Sequence, residues 1–203
     1  MGDSSFDWSP AAIAVPILSF ITLVLCLPPF VWHVKNRNIA ASSLVFWILL
    51  NNIFNFINAL IWPTDDITSW WNGAVLCDIE VKLMTAAAVG LNGSMACVVR
   101  NLAQVMDTKR TVLEPSRARR RRETALNVLF CFGCPIYLMA IHYIVQPNRY
   151  YLFAISGCTT SYDNSWPSIV LIFIWPPILC ILAAYYGGEW STHCAGPMSS
   201  LII

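Results

Sequence analysis

Long apolar runs alternate with short polar breaks along the chain. A helix needs about 20 apolar residues to cross the hydrocarbon core of a membrane. Five runs meet that length: about Pro10 to Trp32, Ile39 to Trp62, Cys77 to Met106, Leu126 to Val145 and Pro167 to Tyr186. The third keeps its charges near its ends, and the proline pairs Pro28-Pro29 and Pro176-Pro177 predict kinks. The pattern predicts an all-α, polytopic transmembrane helix bundle with five spans.

Composition agrees. Hydrophobic residues make up 57% of the chain and charged residues 11%, against about 25% charged in soluble domains. So much apolar surface needs lipid as its solvent. The net charge is only +1, and the placement of the charges says more. Loop 33–38 carries Lys35 and Arg37, and loop 107–122 carries seven bases. Loop 63–76 has two acids and no base, and loop 147–166 has the single base Arg149. Basic loops stay on the cytoplasmic side, so the N-terminus is expected outside and the C-terminus, after five spans, inside. The leader carries Asp3 and Asp7 and no base, unlike the positive start of a signal peptide. Run one is therefore read as a retained helix.

The third run holds most of the candidate chemistry. Ionisable residues inside a span face protein or water rather than lipid. Asp78 and Lys82 are four apart with the acid first, the favourable order for a helix pair. Glu80 lies about 200° from Asp78 and faces elsewhere. Lys82, Ala86, Val89, Gly93, Ala96 and Arg100 fall within about 40° of one line, a mostly small face that lets neighbouring helices approach closely. Run three is therefore expected to be the central packing element. Asn51, Asn55 and Asn58 share a face of the second run, suited to interhelical hydrogen bonds or ligand contact. For Asp78, Glu80 and Lys82, a ligand-side role stands beside simple snorkelling to the interface; for Arg100, a switch role stands beside a positive-inside anchor.

Cys77 and Cys158 are the two cysteines that flank spans on the outer side, an oxidising compartment. A bridge there would pin loop 147–166 over the third helix, although sequence does not itself give pairing. Lys109, Arg110, Arg117, Arg119, Arg120, Arg121 and Arg122 read as a topology signal attracted to anionic lipid, with an acidic intracellular partner as an additional reading. Asn92-Gly93-Ser94 matches a glycosylation acceptor but sits mid-span. His33, His142 and His193 are scattered. With no metal-ligand spacing and no paired carboxylates within a span, no metal, cofactor, nucleic-acid partner or enzymatic activity is expected.

The stretch LPPFVWHVKNRN (27–38), the IWPTDD…WW…LCDIEVKL pattern (61–83) and the late Gly157-Cys158 resemble the fungal lipopeptide mating-pheromone receptors, the a-factor-type, class D members of the G-protein-coupled receptors. The resemblance runs from about Ala11 to Tyr186. It implies a seven-helix bundle in the plasma membrane, a farnesylated peptide pheromone as ligand and a heterotrimeric G protein as partner. It places Cys77 at the family's cysteine on the outer end of the third helix, followed by Asp78 and Lys82, and Arg100 at a polar, often basic, inner end.

On this reading residues 1–186 form a partial receptor domain with five spans of an expected seven. Residues 187–203, GGEWSTHCAGPMSSLII, form an atypical tail of the kind a frameshift or retained intron would produce. That puts signalling by this chain in question, and the alternative is a non-signalling membrane protein that pairs with and regulates a full-length receptor.

Overall fold

A computed structural model describes residues 10–64, 66, 70–106 and 117–195, with side chains only as far as 188 at the C-terminal end. Helix α1 is Pro10–Lys35, α2 is Ile39–Ile61 and α3 is Ala74–Met106. Helix α4, Arg117–Val145, contains a π-helical turn at Leu129–Gly133. Helix α5 joins Trp166–Ser168, a π turn at Ile169–Phe173 and Trp175–Ala195. Between α4 and α5, strands β1 (Tyr151–Phe153) and β2 (Gly157–Thr159) pair antiparallel as a hairpin, with Leu152 opposite Cys158.

The element boundaries shift for physical reasons. Helix α4 begins at Arg117 rather than near Leu126, because an arginine run is helical without being apolar. Helix α5 continues beyond Tyr186 to Ala195. Each π turn lies just before prolines, Pro135 in α4 and Pro176-Pro177 in α5. Proline lacks an N–H and crowds the carbonyl four residues back, and a wider turn accommodates both. Pro28 and Pro29 instead sit inside the unbroken α-helix α1.

Four helices among the described residues are long and apolar enough to cross a membrane: Pro10–Lys35, Ile39–Ile61, Arg117–Val145 and Trp166–Gly188. Their exteriors suit lipid: Ile13, Leu18 and Leu25 of α1, Ile144 of α4 and Ile181 of α5 are all exposed. The apolar count is thus four where the sequence pattern predicts five. Helix α3 is the exception because it packs against α2, α4 and α5, so its polar residues meet protein rather than lipid.

The small face of α3 governs this packing. Ala86, Val89 and Ala96 are buried. A Cβ at Gly93 would stand 2.4 Å from the backbone oxygen of Phe130 in α4, and one at Gly90 would stand 2.3 Å from the Trp47 indole of α2. Trp47 lies across Gly90 and donates its Nε1–H to the Cys131 carbonyl at 3.0 Å, within the π turn of α4. Ser43 of α2 and Ser94 of α3 share a buried hydrogen bond at 2.8 Å. Asn92 turns its amide back to the Ala88 carbonyl of its own helix.

Replacing Gly93 with alanine forces α4 away, because the obstruction is backbone. The expected loss is about 1–3 kcal/mol, read as a lower thermal midpoint in detergent. Gly188→Ala, with nothing within 4 Å of the new Cβ, leaves the midpoint unchanged.

Candidate functional site

At one end of the bundle the β-hairpin is fastened to two helices. Cys77 of α3 and Cys158 of β2 form a disulfide with Cα atoms 5.2 Å apart. Both are fully buried with Trp62 and Val81. Arg149, just before β1, pairs with Asp78 through two guanidinium contacts. Hydrogen bonding to that carboxylate, then its charge, holds the Arg149 guanidinium above its ordinary pKa. The hairpin turn docks on the end of α2, where the Ile155 N–H donates to the Trp62 carbonyl at 2.7 Å.

Gly157 makes the closest approach. Its φ is +67°, in the left-handed region, and a Cβ there would lie 2.3 Å from Cγ of Asn58. Asn58 is fully buried and donates from Nδ2 to the Ser156 carbonyl at 2.9 Å and to Glu80 Oε1 at 2.5 Å. Glu80 is itself fully buried, with no cation partner among the described residues. One amide thus joins α2, α3 and the hairpin.

Beneath the hairpin lies a cavity of about 460 Å³ walled by Asn51 and Asn55 of α2, Met84 and Ala88 of α3, and Ser156, Thr159, Thr160 and Tyr162. Asn51 directs its Nδ2 to the Trp47 carbonyl at 3.2 Å. The lining mixes amides, hydroxyls, an aromatic ring and short apolar groups, which suits the backbone and side chains of a peptide.

Lys82 lies toward α4. Its Nζ contacts His142 Nδ1 at 3.1 Å and donates to Gln146 Oε1 at 2.5 Å, and it stands 5.4 Å from the Tyr143 ring centroid. The His142 ring meets Tyr162 edge-on at 5.2 Å, which links this contact to the cavity wall. The expected helix pair is therefore corrected: Asp78 pairs with Arg149 and Lys82 with polar groups of α4, because tertiary partners outcompete a local one.

At the opposite end, Arg100 is buried and forms an ion pair with Glu123 of α4. Arg117, Arg119, Arg120, Arg121 and Arg122 project from the exposed first turns of that helix. Lys109 and Arg110 lie outside the described residues. The structure therefore separates the candidates. Asn58 and Glu80 touch, Asn51 and Asn55 line the cavity, and Arg100 stands with the arginines at the other end.

Sequence reasoning missed the roles of Glu123, His142 and Gln146, and of Arg149, Ser156, Thr159, Thr160 and Tyr162 around the hairpin, although it named Cys158. Signals existed for three of these. Glu123 is the sole acid in Arg117–Val128. His142 and Gln146 are four apart at the end of an apolar run, which places two polar groups on one face.

Gly157→Ala meets both an unfavourable φ and the Asn58 side chain, so it lifts the hairpin. Reduction of Cys77–Cys158 by dithiothreitol, followed by thiol-specific gel shift, is expected to run several-fold faster than in the parent chain.

Comparisons with known proteins agree on a family. The profile described as pheromone A receptor, STE3, matches residues 14–194. The pheromone B beta 1 receptor of Schizophyllum commune is 32% identical over 176 residues, covering 86% of this chain and 30% of that protein. The pheromone a factor receptor of Saccharomyces cerevisiae is 28% identical over 169 residues, covering 83% and 35%. The pheromone M-factor receptor of Schizosaccharomyces pombe is 27% identical over 181 residues, covering 88% and 46%. The chain spans from 25% to 46% of the length of relatives such as these. No solved structure matches it. With the profile matched from residue 14 to residue 194, the chain belongs to the STE3 family of pheromone A receptors.

Proposed function

We propose that this chain forms the pheromone-binding part of a G-protein-coupled mating receptor in the plasma membrane. The observation that carries this reading is the cavity walled by Asn51, Asn55, Thr159, Thr160 and Tyr162 under a disulfide-pinned hairpin. The peptide portion of a lipidated pheromone would hydrogen-bond there. Its farnesyl group would lie in lipid or in the apolar groove of about 530 Å³ between α1 and α2, lined by Ile13, Ile17, Phe20, Phe56 and Leu60.

The proposed orientation puts the disulfide end and the N-terminus outside. It rests on the basic residues, since Lys35, Arg37 and Arg117–Arg122 all lie at the opposite end. Helix α3 would be the fifth span. Its 33 residues measure about 50 Å, and its charges are accommodated by α2, α4 and the hairpin. A heterotrimeric G protein would meet the cytoplasmic end, near Arg100 and the α4 arginines.

Membranes from receptor-null cells expressing this chain are expected to bind a fluorescent lipidated pheromone saturably. Asn55→Leu and Tyr162→Ala are each expected to weaken binding about ten-fold, equivalent to about 1.4 kcal/mol. Unchanged affinity in both variants would exclude the cavity as the peptide site.

A further inference from the structure

A cavity of about 1020 Å³ opens at the basic end between the α1–α2 turn and α4. Arg37, Arg117, Arg120 and Arg121 line its polar part, and Ile39, Ala125, Val128, Leu129 and Gly133 line the remainder, with Thr124 between. We propose that this cavity binds a membrane phospholipid with a polyphosphorylated headgroup, such as a phosphoinositide, with its acyl chains running along α4. The proposal stands independently of the pheromone reading.

The arrangement of the arginines is the first argument. Arg117, Arg120 and Arg121 are spaced i, i+3 and i+4, so they stack on one helical face. They also occupy the start of the helix, where the macrodipole disfavours cations. Among the described residues no acidic side chain lines the cavity, and the acid of this helix, Glu123, is engaged by Arg100. Like charges gathered at the wrong helix end, with no carboxylate among the described lining residues, form an anion site. Marking the cytoplasmic side needs only bases in the loop; it does not require them around one cavity.

Arg37 is the second argument. It has φ +53°, uncommon for a residue with a side chain. The tight turn that holds it is closed by Arg37 N–H to the Val34 carbonyl and Asn38 N–H to the His33 carbonyl, both at 3.0 Å. A fourth guanidinium from a different element thereby lines the same cavity. Guanidinium groups grip phosphate oxygens in pairs, so four of them suit several phosphates better than one.

The depth of the cavity selects lipid over an acidic protein. From Arg117 to Gly133 the groove follows α4 for about 24 Å, and Val128 and Leu129 are exposed along it. This part lies inside the span Arg117–Val145. A protein surface cannot follow the groove to hydrocarbon depth, whereas acyl chains already reside there. Basic pockets between helix ends on the cytoplasmic side are a recognised form of headgroup site.

The test uses the full chain in nanodiscs, with native mass spectrometry counting bound lipid. Phosphatidylinositol 4,5-bisphosphate is expected to be retained at least ten-fold over phosphatidylserine, and soluble inositol trisphosphate to compete weakly. Arg117→Gln with Arg121→Gln should cut retention about ten-fold. Arg119→Gln with Arg122→Gln removes the same charge from other faces of the helix and should change it less than two-fold. Ala125→Phe fills the exposed groove and should also lower retention of the lipid. Equal losses in the two double variants would overturn the site as a diffuse charge effect. Equal retention of phosphatidylserine would overturn its preference for several phosphates. Strong competition by inositol trisphosphate, or full lipid retention by Ala125→Phe, would overturn the role of the chains and leave a site for the phosphates alone.

Discussion

The bundle depends on how near the backbone of α4 comes to α3 at Gly93. Between membrane helices lipid is as apolar as leucine, so association rests on close packing and on hydrogen bonds rather than on escape from water. The Phe130 carbonyl occupies space that any side chain at Gly93 would fill. That proximity brings the Cys131 carbonyl within reach of Trp47, whose indole lies over Gly90. One aromatic side chain of α2 therefore spans α3 and binds α4. Its fit requires two glycines on α3 and a carbonyl that Pro135, four residues on and lacking an N–H, leaves free.

The disulfide end uses polar groups instead. A buried carboxyl such as Glu80 is costly unless hydrogen bonds satisfy it, and Asn58 supplies one while also holding the hairpin through Ser156. The disulfide, the Arg149–Asp78 pair and the Ile155–Trp62 backbone bond fasten the same hairpin from other directions. The roof of the cavity is consequently held to both α2 and α3, the helices that form its walls. Helix α1 packs on α2, where Phe20 meets Phe56 at 6.0 Å.

Much of this was legible from periodicity. The small face of α3 follows from a 100° step along the helix, and Ala86, Val89, Gly93, Ala96 and Arg100 all turn inward. Asn58 stood out as a polar residue in an apolar run. What stayed hidden lies in the third dimension. Nothing near Asp78 or Lys82 in the chain announces Arg149, His142 or Gln146, which are 60 to 71 residues away. The three-residue strands of the hairpin are too short to show an alternating pattern. Hydropathy also missed the start of α4, since it registers the arginines as loop although they continue the helix.

The π turn of α4 also settles a matter of counting. On α3, Lys82 and Arg100 are eighteen positions apart. That is five whole turns at about 3.6 residues each, so both lie on one line. Their partners on α4, His142 and Glu123, are nineteen positions apart. A regular helix would swing one of them about 100° out of line. The wide turn at Leu129–Gly133 absorbs the surplus residue, and both partners come to face α3. The two polar clasps at opposite ends of the bundle are thus kept in phase by a single irregular turn between them.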